Sequence, residues 1–471
     1  MSDEPEIAAG AVHGPDPDSL RDAAGNLSEA WLGRLRSLLD AGEADEVTGL
    51  VSPLHSSDVG DILEALRDEH RIALVRMLGD HFDFSALTEV DDAIRSEIVE
   101  ALSNEDIARG VAALDTDDAV YILEDLDEPD REAVLAHLPA FERLTLKRSL
   151  DFPEESAGRR MQIEFIAIPP FWTVGQTIDY LRGEENLPDE FFQLYVVDPA
   201  YNLLGTIALD KFLRAKRFVR IEDLMNRNLI TVEATEDQEE AARKFERYDL
   251  VEVGVVDDDG RLVGVLTIDD IVDVIHEEAT EDIKALGGVG DEELSDNAIR
   301  TVRSRSSWLL VSLVSTLLAS VVIGLFDGTI EHMVALAVLM PIVAAMGGNA
   351  GTQTMTVTVR ALATRELDPA RVHRLIAREL LVGFMNGIIF ALLVGLVTAV
   401  RFSNFSLGVV IGLAMIVNMV VAGGAGIFIP LLLNRLRVDP AIASGPFVTT
   451  ITDVIGFFVF LGLAGLWFGL F

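Results

Sequence analysis

The sequence predicts a multidomain protein: an all-α superhelical N-terminal domain, an α/β tandem pair, and an α-helical membrane domain with five transmembrane helices. Three observations carry this reading. Charge is divided along the chain. Of 471 residues with a net charge of −40, Trp308 to Phe471 hold eight Arg, no Lys and seven Asp+Glu, which leaves 29 basic and 70 acidic residues, about −41, in 1–307. Hydropathy divides at the same place, since the long apolar runs begin only at Trp308. The acidic part, finally, contains two different internal repeats. Such acidity excludes ordinary nucleic-acid binding, which needs a basic footprint to neutralise phosphates. With no Cys, disulfides and thiolate metal sites are excluded too.

Residues 1–26 are rich in Gly, Pro, Asp and Ala without periodicity and read as a disordered acidic tail. Their start, MSDEPEIAAG, has neither the basic n-region nor the apolar h-region of a secretory signal. From 27 to 158 apolar residues recur at helical spacing between acidic faces. Segment 57–78 (SDVGDILEALRDEHRIALVRML) aligns without gaps on 117–138 (DDAVYILEDLDEPDREAVLAHL) with eight identities in 22. Each copy reads as two short helices and a polar turn, so the region is a stacked helical repeat.

A second repeat follows. FQLYVVDPAYNLLGTIALDKFL (192–213) aligns on VEVGVVDDDGRLVGVLTIDDIV (251–272) with six identities, each copy a β run, a turn, a β run containing Gly205 or Gly264, and a helix start. Two such units, 159–220 and 221–278, are expected to pack face to face, and they resemble a tandem pair of CBS domains. In that family a Thr-x-x-Asp after the second strand often holds a nucleotide's ribose and phosphate. Here Thr267 and Asp270 have the spacing, which suits ATP, whereas the first unit has Ala208 and Lys211 instead. The same spacing is an ordinary helix N-cap arrangement.

Residues 279–307 are expected to form a connecting helix into the membrane domain, 308–471. Crossing ~30 Å of hydrocarbon takes roughly 20 apolar residues, and five stretches qualify, at about 308–326, 333–357, 379–400, 407–433 and 445–470. Arg300, Arg303 and Arg305 precede the first; Arg360, Arg365, Arg371, Arg374 and Arg378 separate the second from the third; Arg435 and Arg437 separate the fourth from the fifth. The two remaining loops hold only Arg401. The positive-inside rule therefore places the soluble part in the cytoplasm and the C-terminus outside, in a plasma (inner) membrane.

Asp453, in PFVTTITDVIGFF, is the one acidic residue well inside an expected span. It stands eight residues past Gly445, roughly 12 Å in at ~1.5 Å per residue. A charge there costs roughly 2.5–3.5 kcal/mol or more and normally marks a pathway. Thr449, Thr450 and Thr452 precede it. In the second span Gly347, Gly348, Asn349, Gly351, Thr352 and Gln353 interrupt the apolar run, and the fourth adds Asn418. Small residues permit close helix packing, while amide carbonyls suit the water shell of a hard cation.

GGNAGTQTMTVTVRALATREL followed by LLLNRLRVDPAIASGPFVTTITDVIGF resembles the MgtE family of magnesium channels, and the domain order matches that family over nearly the whole chain. The resemblance implies a homodimer in the lipid bilayer with its pore at the subunit interface, importing Mg2+ and closed by its cytoplasmic domains when Mg2+ is abundant. It puts the selectivity carboxylate on Asp453, with Gly348, Asn349 and Thr449 as further candidate pore residues. It puts regulatory Mg2+ ligands on Asp237, Glu239, Asp249 and Asp270, on Glu278, Glu281 and Asp282 of the connecting helix, and on Asp439. In the helical repeat the matching segment is LSNEDIARG, where Glu105 is the candidate and Arg109 replaces an acidic residue. The linker SAGRRM also departs from the family's Gly-Gly-Leu-Met type, and Gly445 from an Asn.

Other classes fit less well. A membrane enzyme has little to work with: His332 and His373 lack metalloprotease spacing and there is no Cys, so the chain reads as no enzyme. A membrane-anchored CBS nucleotide sensor would not need Asp453 or polar spans. Another divalent ion (Co2+, Mn2+ or Ni2+) remains the alternative cargo, although no soft ligand lies near Asp453.

Overall fold

The computed structural model describes residues 19–184, 187–188, 190–289, 298–363 and 369–470. It comprises two compact units, Met1–Glu277 and Glu278–Phe471. Among the described residues the first unit opens with nine α-helices: α1 Glu29–Ala41, α2 Ala44–Val51, α3 Ser56–Ala65, α4 Asp68–Leu78, α5 Asp92–Glu100, α6 Asn104–Val111, α7 Thr116–Glu124, α8 Glu128–His137 and α9 Ala140–Leu150. The internal repeat falls on α3–α4 and α7–α8. Its equivalent apolar positions, Ile62/Ile122, Leu63/Leu123, Leu74/Val134, Val75/Leu135 and Leu78/Leu138, are all buried in one core. Each pair buries one apolar stripe against its neighbours, as stacked repeats must. The acidic tail requires a correction. Its residues 1–18 lie outside the described residues, but from Ser19 the chain has fixed form: Arg21 bridges to Leu27 and pairs with Asp58 and Asp61 of α3, each at 2.5 Å. The turn is also held locally, Asp22 Oδ1 accepting from Ala24 N–H (2.8 Å) and Asn26 N–H (3.0 Å).

The α/β pair shows how closely the two units repeat. Its elements are β1 Ala167–Ile168, α10 Val174–Gly183, β2 Gln193–Val197, β3 Leu203–Ala208 and α11 Leu209–Arg214, then α12 Ile221–Leu224, β4 Thr231–Glu233, α13 Gln238–Tyr248, β5 Glu252–Val256, β6 Leu262–Thr267 and α14 Ile268–Leu286. Each sheet has three strands, in order β1-β2-β3 and β4-β5-β6, with one parallel and one antiparallel pairing. The irregularity falls at the same step, Val196/Val197 and Val255/Val256. The hairpins join reciprocally, Leu203 N–H donating to Gly260 O (3.3 Å) and Leu262 N–H to Tyr201 O (2.9 Å). Gly205 and Gly264 each admit a methionine from the start of the other repeat. A Cβ there would come within 2.7 Å of Met225 Sδ and 2.6 Å of Met161 Sδ. Met161 of the divergent linker SAGRRM therefore does what Met225 does. Gly264→Val is expected to cost about 1–3 kcal/mol through overpacking, read by calorimetry as a lower first unfolding midpoint.

α14 runs unbroken through 278, where the repeat spacing predicts a domain boundary. No Gly or Pro interrupts Ile268–Leu286, and the helix ends only before Gly287 and Gly288, the latter at φ 68°. Of the expected connecting helix, 290–297 lie outside the described residues.

The second unit contains α15 Ala298–Gly324, the short α16 Asp327–His332, and α17 Ala335–Ala363, α18 Pro369–Arg401, α19 Phe405–Arg435 and α20 Pro440–Phe468. Five of these helices are long and apolar enough to cross a membrane: 301–324, 335–363, 372–401, 405–435 and 444–468. α19 is the most enclosed, its most apolar window being 56% buried. Small residues bring it close to its neighbours. A Cβ on Gly426 would stand 2.8 Å from Gly351 O of α17, one on Gly383 of α18 2.6 Å from Met419 O, and one on Gly351 2.6 Å from Val448 of α20. Lipid supplies no hydrophobic drive between helices, so such backbone approach has to supply the association by packing.

The third span begins earlier than 379, and this changes the acid inventory. Glu379 lies inside it and is 8% exposed, accepting from Thr354 Oγ1 of α17 (3.3 Å) and pairing with Arg378 (2.8 Å). Asp453 is thus not the only carboxylate within a membrane-length helix. Glu379 is a paired one, bonded to Thr354 and Arg378.

Candidate functional site: a cation pathway and its carboxylates

The pathway candidates lie on α17 and α20. Along α17 the buried face is Gly347, Gly351, Thr354, Met355 and Thr358, whereas Asn349, Thr352, Gln353, Thr356 and Arg360 are exposed at helical spacing. One face of a membrane-length helix is therefore polar and not covered by its own chain. On α20 Asp453 and Thr449, one turn apart, are both half-exposed. Thr449 Oγ1 donates to Gly445 O (3.0 Å) and Pro446 O (3.1 Å), so its hydroxyl proton is engaged and its lone pairs remain. Gly348 faces open space, with no atom within 4 Å of where a Cβ would be. Acceptor oxygens on exposed faces suit an ion that retains its water.

In the first unit a different set of carboxylates converges. Asp270, at the start of α14, accepts from Thr267 Oγ1 at 2.5 Å. Burial, with Asp269 adding to it, pushes its carboxyl up to about 6. Against it stand Asp117 and Asp118, in the first turn of α7. Burial and then Asp270 raise Asp118 to about 7, with Asp115, Glu89 and Asp269 adding to the effect. Asp117 is raised well above the usual carboxylate range by burial, then by Asp270 and Asp118. Its Oδ1 is inaccessible and has no hydrogen-bond partner. Asp273 is raised in the same way, by burial and then Glu89 and Asp269, against the opposing charges of His276 and Arg160.

Sequence reasoning missed Asp117 and Asp118. The run DTDD at 115–118 looks like ordinary acid at a helix start, where it favours the dipole. The available signal was the repeat itself: Asp118 aligns on Asp58, which has Arg21, and 115–120 contains no basic residue.

The other expected ligands are dispersed. Glu105 is exposed on α6, where Arg109 pairs with Asp80 and Asp106. Asp237 caps α13, accepting from Glu239 N–H (2.9 Å), Glu239 pairs with Arg243, and Asp249 ends α13 in the left-handed region at φ 51°. In the second unit Asp282 is raised by burial and then by Asp439. Asp439 itself caps α20 through Ala441 N–H (2.8 Å). Glu278 is half-buried and Glu281 exposed on the same stretch of α14.

Among the described residues no three His, Cys, Asp or Glu side chains converge to enclose a metal ion. Magnesium needs no such cage. It dehydrates reluctantly and usually takes one or two carboxylates and several waters, which fits a pair such as Asp117–Asp270, with one buried oxygen unpartnered.

The magnesium transporter MgtE of Thermus thermophilus is 31% identical to this chain over 450 residues, covering 92% of this chain and 97% of that protein. The chain belongs to the MgtE family. The family model for the MgtE divalent cation transporter region matches 340–463, that for the MgtE intracellular N domain 54–155, and that for a CBS domain 221–277. The MgtE transporter region thus takes in both the polar face of α17 and Asp453. The magnesium transporter MgtE of Enterococcus faecalis is 35% identical over 321 residues, 68% of this chain and 71% of that protein. A crystal structure of the cytosolic domain of the Mg2+ channel MgtE in complex with ATP aligns over 52% of this chain and 99% of its own, at 25% identity and TM-score 0.48.

Proposed function

We propose that this chain imports Mg2+ across a plasma membrane through a pore lined by two copies, and that its cytoplasmic carboxylates close that pore when Mg2+ is abundant. The observation that carries the proposal is the pair of polar faces, Asn349–Gln353–Thr356 of α17 and Thr449–Asp453 of α20, left uncovered on membrane-length helices. Lipid cannot cover them, since exposed polar and charged side chains in hydrocarbon are expensive. A second copy around a watery axis can. Two Asp453 carboxylates across that axis would hold a hydrated Mg2+ through its water, tightly enough to attract it and loosely enough to release it.

Regulation follows from the same chemistry. Asp117 and Asp118 oppose Asp270 with too little positive charge, and Asp282 opposes Asp439. Mg2+ between such partners replaces repulsion with a bridge, drawing α7 onto the start of α14 and the end of α14 onto the start of α20. The remaining acids expected as ligands, Asp237, Glu239, Asp249, Glu278, Glu281 and Glu105, contribute charge that attracts the ion.

The direct test is divalent uptake into liposomes carrying the full chain. Mg2+ should enter, and Co2+, Mn2+ and Ni2+ should enter less; a larger flux of any of these would reassign the cargo. Orientation is tested in cells: the chain has no Cys, so the single substitutions Asn404→Cys and Leu470→Cys report sidedness cleanly. The arginine distribution puts Asn404 and Leu470 outside. Labelling of the Leu470→Cys variant only after lysis would reverse the assignment.

ATP at the second CBS unit rests on the spacing of Thr267 and Asp270. These two side chains are already bonded to each other. ATP at 100 times its dissociation constant would stabilise the protein by about 2.7 kcal/mol. No rise in the thermal midpoint at millimolar ATP, with Mg2+ fixed, would leave them as a helix cap.

A further inference from the structure

Asn418, midway along α19, is 1% exposed. Its Nδ2 donates to Val343 O of α17 at 2.9 Å, and its Oδ1 is inaccessible and without a hydrogen-bond partner. The amide fills the space that side chains would need at two glycines on two other helices. A Cβ on Gly347 of α17 would come within 2.2 Å of Nδ2, and one on Gly456 of α20 within 2.9 Å of Nδ2 and 3.0 Å of Oδ1. These glycines flank the pathway candidates: Gly347 is two residues before Asn349, and Gly456 three residues, about one turn, past Asp453.

The arrangement is a poor choice for stability alone. A buried polar atom without a partner costs about 1–3 kcal/mol, and buried residues along the same three helices, Val343, Met415, Met419 and Phe460, are apolar. An aliphatic side chain would avoid that cost but could not lie flat between two glycine backbones. A planar amide can, and it also holds α17 by a directional bond to main chain.

We infer that Asn418 is a positioning residue for the pore: wedged between Gly347 and Gly456 and bonded to Val343 O, it sets the separation of α17 and α20 and so the placement of the Asn349 face relative to Asp453. The inference rests on the pore reading above and names the residue that gives that pore its dimensions. It acts through the two helices and does not itself touch the ion.

The experiment uses the full chain in liposomes, with Mg2+ flux, the preference for Mg2+ over Ca2+, and the thermal midpoint measured for each variant. Asn418→Ala should lower Mg2+ flux about tenfold or more, since displacements near 1 Å at a positioned site can cost that much, and should relax the preference. Gly347→Ala should do the same, because its methyl and the amide compete for one space. The double variant Asn418→Ala/Gly347→Ala should recover flux and preference relative to Gly347→Ala, as the methyl takes the vacated volume. Asn418→Ser serves if the alanine variant does not fold; it removes the wedge and keeps a hydroxyl, and it should also lose preference. A packing role alone predicts lower midpoints with unchanged ion preference in every folded variant, and that result overturns the inference. So does a double variant no better than Gly347→Ala. Asp453→Ala, run alongside, separates the two readings: loss of flux there with normal Asn418 variants sinks only this inference, while normal flux in Asp453→Ala sinks the pore reading.

Discussion

Asp453→Ala is expected to abolish Mg2+ uptake, or nearly so, in a protein that still folds. The expectation can be scaled. A dication and a carboxylate about 5 Å apart, separated by one water layer, attract by about 1.7 kcal/mol even at the dielectric of bulk water. In the two-copy pore proposed above, the pair would give about 3.3 kcal/mol, or about 250-fold in occupancy at the site, and a pore less polar than bulk water would raise the figure. Asp453→Asn keeps the shape and the acceptor oxygen and loses the charge, so its loss should be of similar order. Comparable loss in the two variants would mean that the charge supplies the site. Flux in liposomes and elution volume on gel filtration are the measurements. Wild-type uptake by both variants would remove this residue from the pathway.

The second large effect concerns Asp117, Asp118 and Asp270. All three are raised above their ordinary range, so the folded arrangement holds protons more tightly than the unfolded chain does. The sign follows by linkage. Without Mg2+ the contact is most stable below about pH 4, where all these carboxyls are neutral in both states. It weakens as the pH rises, through the ranges in which Asp270 (about 6) and Asp118 (about 7) ionise, and Asp117, also held well above the usual carboxylate range, extends the loss until it too has ionised. The groups acting on them are mostly of the same sign, Asp115 and Glu89 from the helical repeat and Asp269 from α14, and on the neighbouring Asp273 the opposing charges are His276 and Arg160. Mg2+ binds the ionised form and should reverse the slope.

Protease half-life of the cytoplasmic part of the full chain is the readout. In EDTA, protection should fall from pH 5 to pH 8; in millimolar Mg2+ it should hold or rise. The triple variant Asp117→Asn/Asp118→Asn/Asp270→Asn should lose both dependences, and patch-clamp current from it should lose its Mg2+ sensitivity. Neutralising Asp249, Asp270, Glu278 and Glu281 together should also blunt the current response, through lost repulsion and lost bridges alike. A wild-type Mg2+ response in both assays, by either variant, would rule out closure by carboxylate bridging.

Much of this was legible in sequence because it depends on local pattern. Helical spacing with an eight-in-22 repeat specified stacked helix pairs, and the repeated Val-Val-Asp and Gly positions specified two hairpins with one register. Twenty or more apolar residues in a row specified spans, because lipid leaves backbone groups no other partner than their own helix. Asp453 stood out because a charge in such a run is too costly to persist without a task. Helix ends were less secure. The third span and α14 both extend past their expected limits, because an end is set by caps and by what packs there, and hydropathy reads neither.

What only the tertiary structure decided is which distant residues meet. Apart from the lack of a basic residue nearby, Asp117 and Asp118 resemble the many acids that open helices in this chain; Asp270, some 150 positions away, makes them unusual. Glu105, chosen by alignment of motifs, lies exposed on another helix for the same reason. Asn418 was visible as a polar residue in an apolar run, but its relation to Gly347 and Gly456 depends on three helices packing at glycine distance. Sequence by itself determined the elements, their repeats and the one conspicuous charge, since those follow from each segment's own preference for water, lipid or neighbours a few residues away. The tertiary structure decided the pairings, since burial and like charge act through space and are set by segments far apart along the chain.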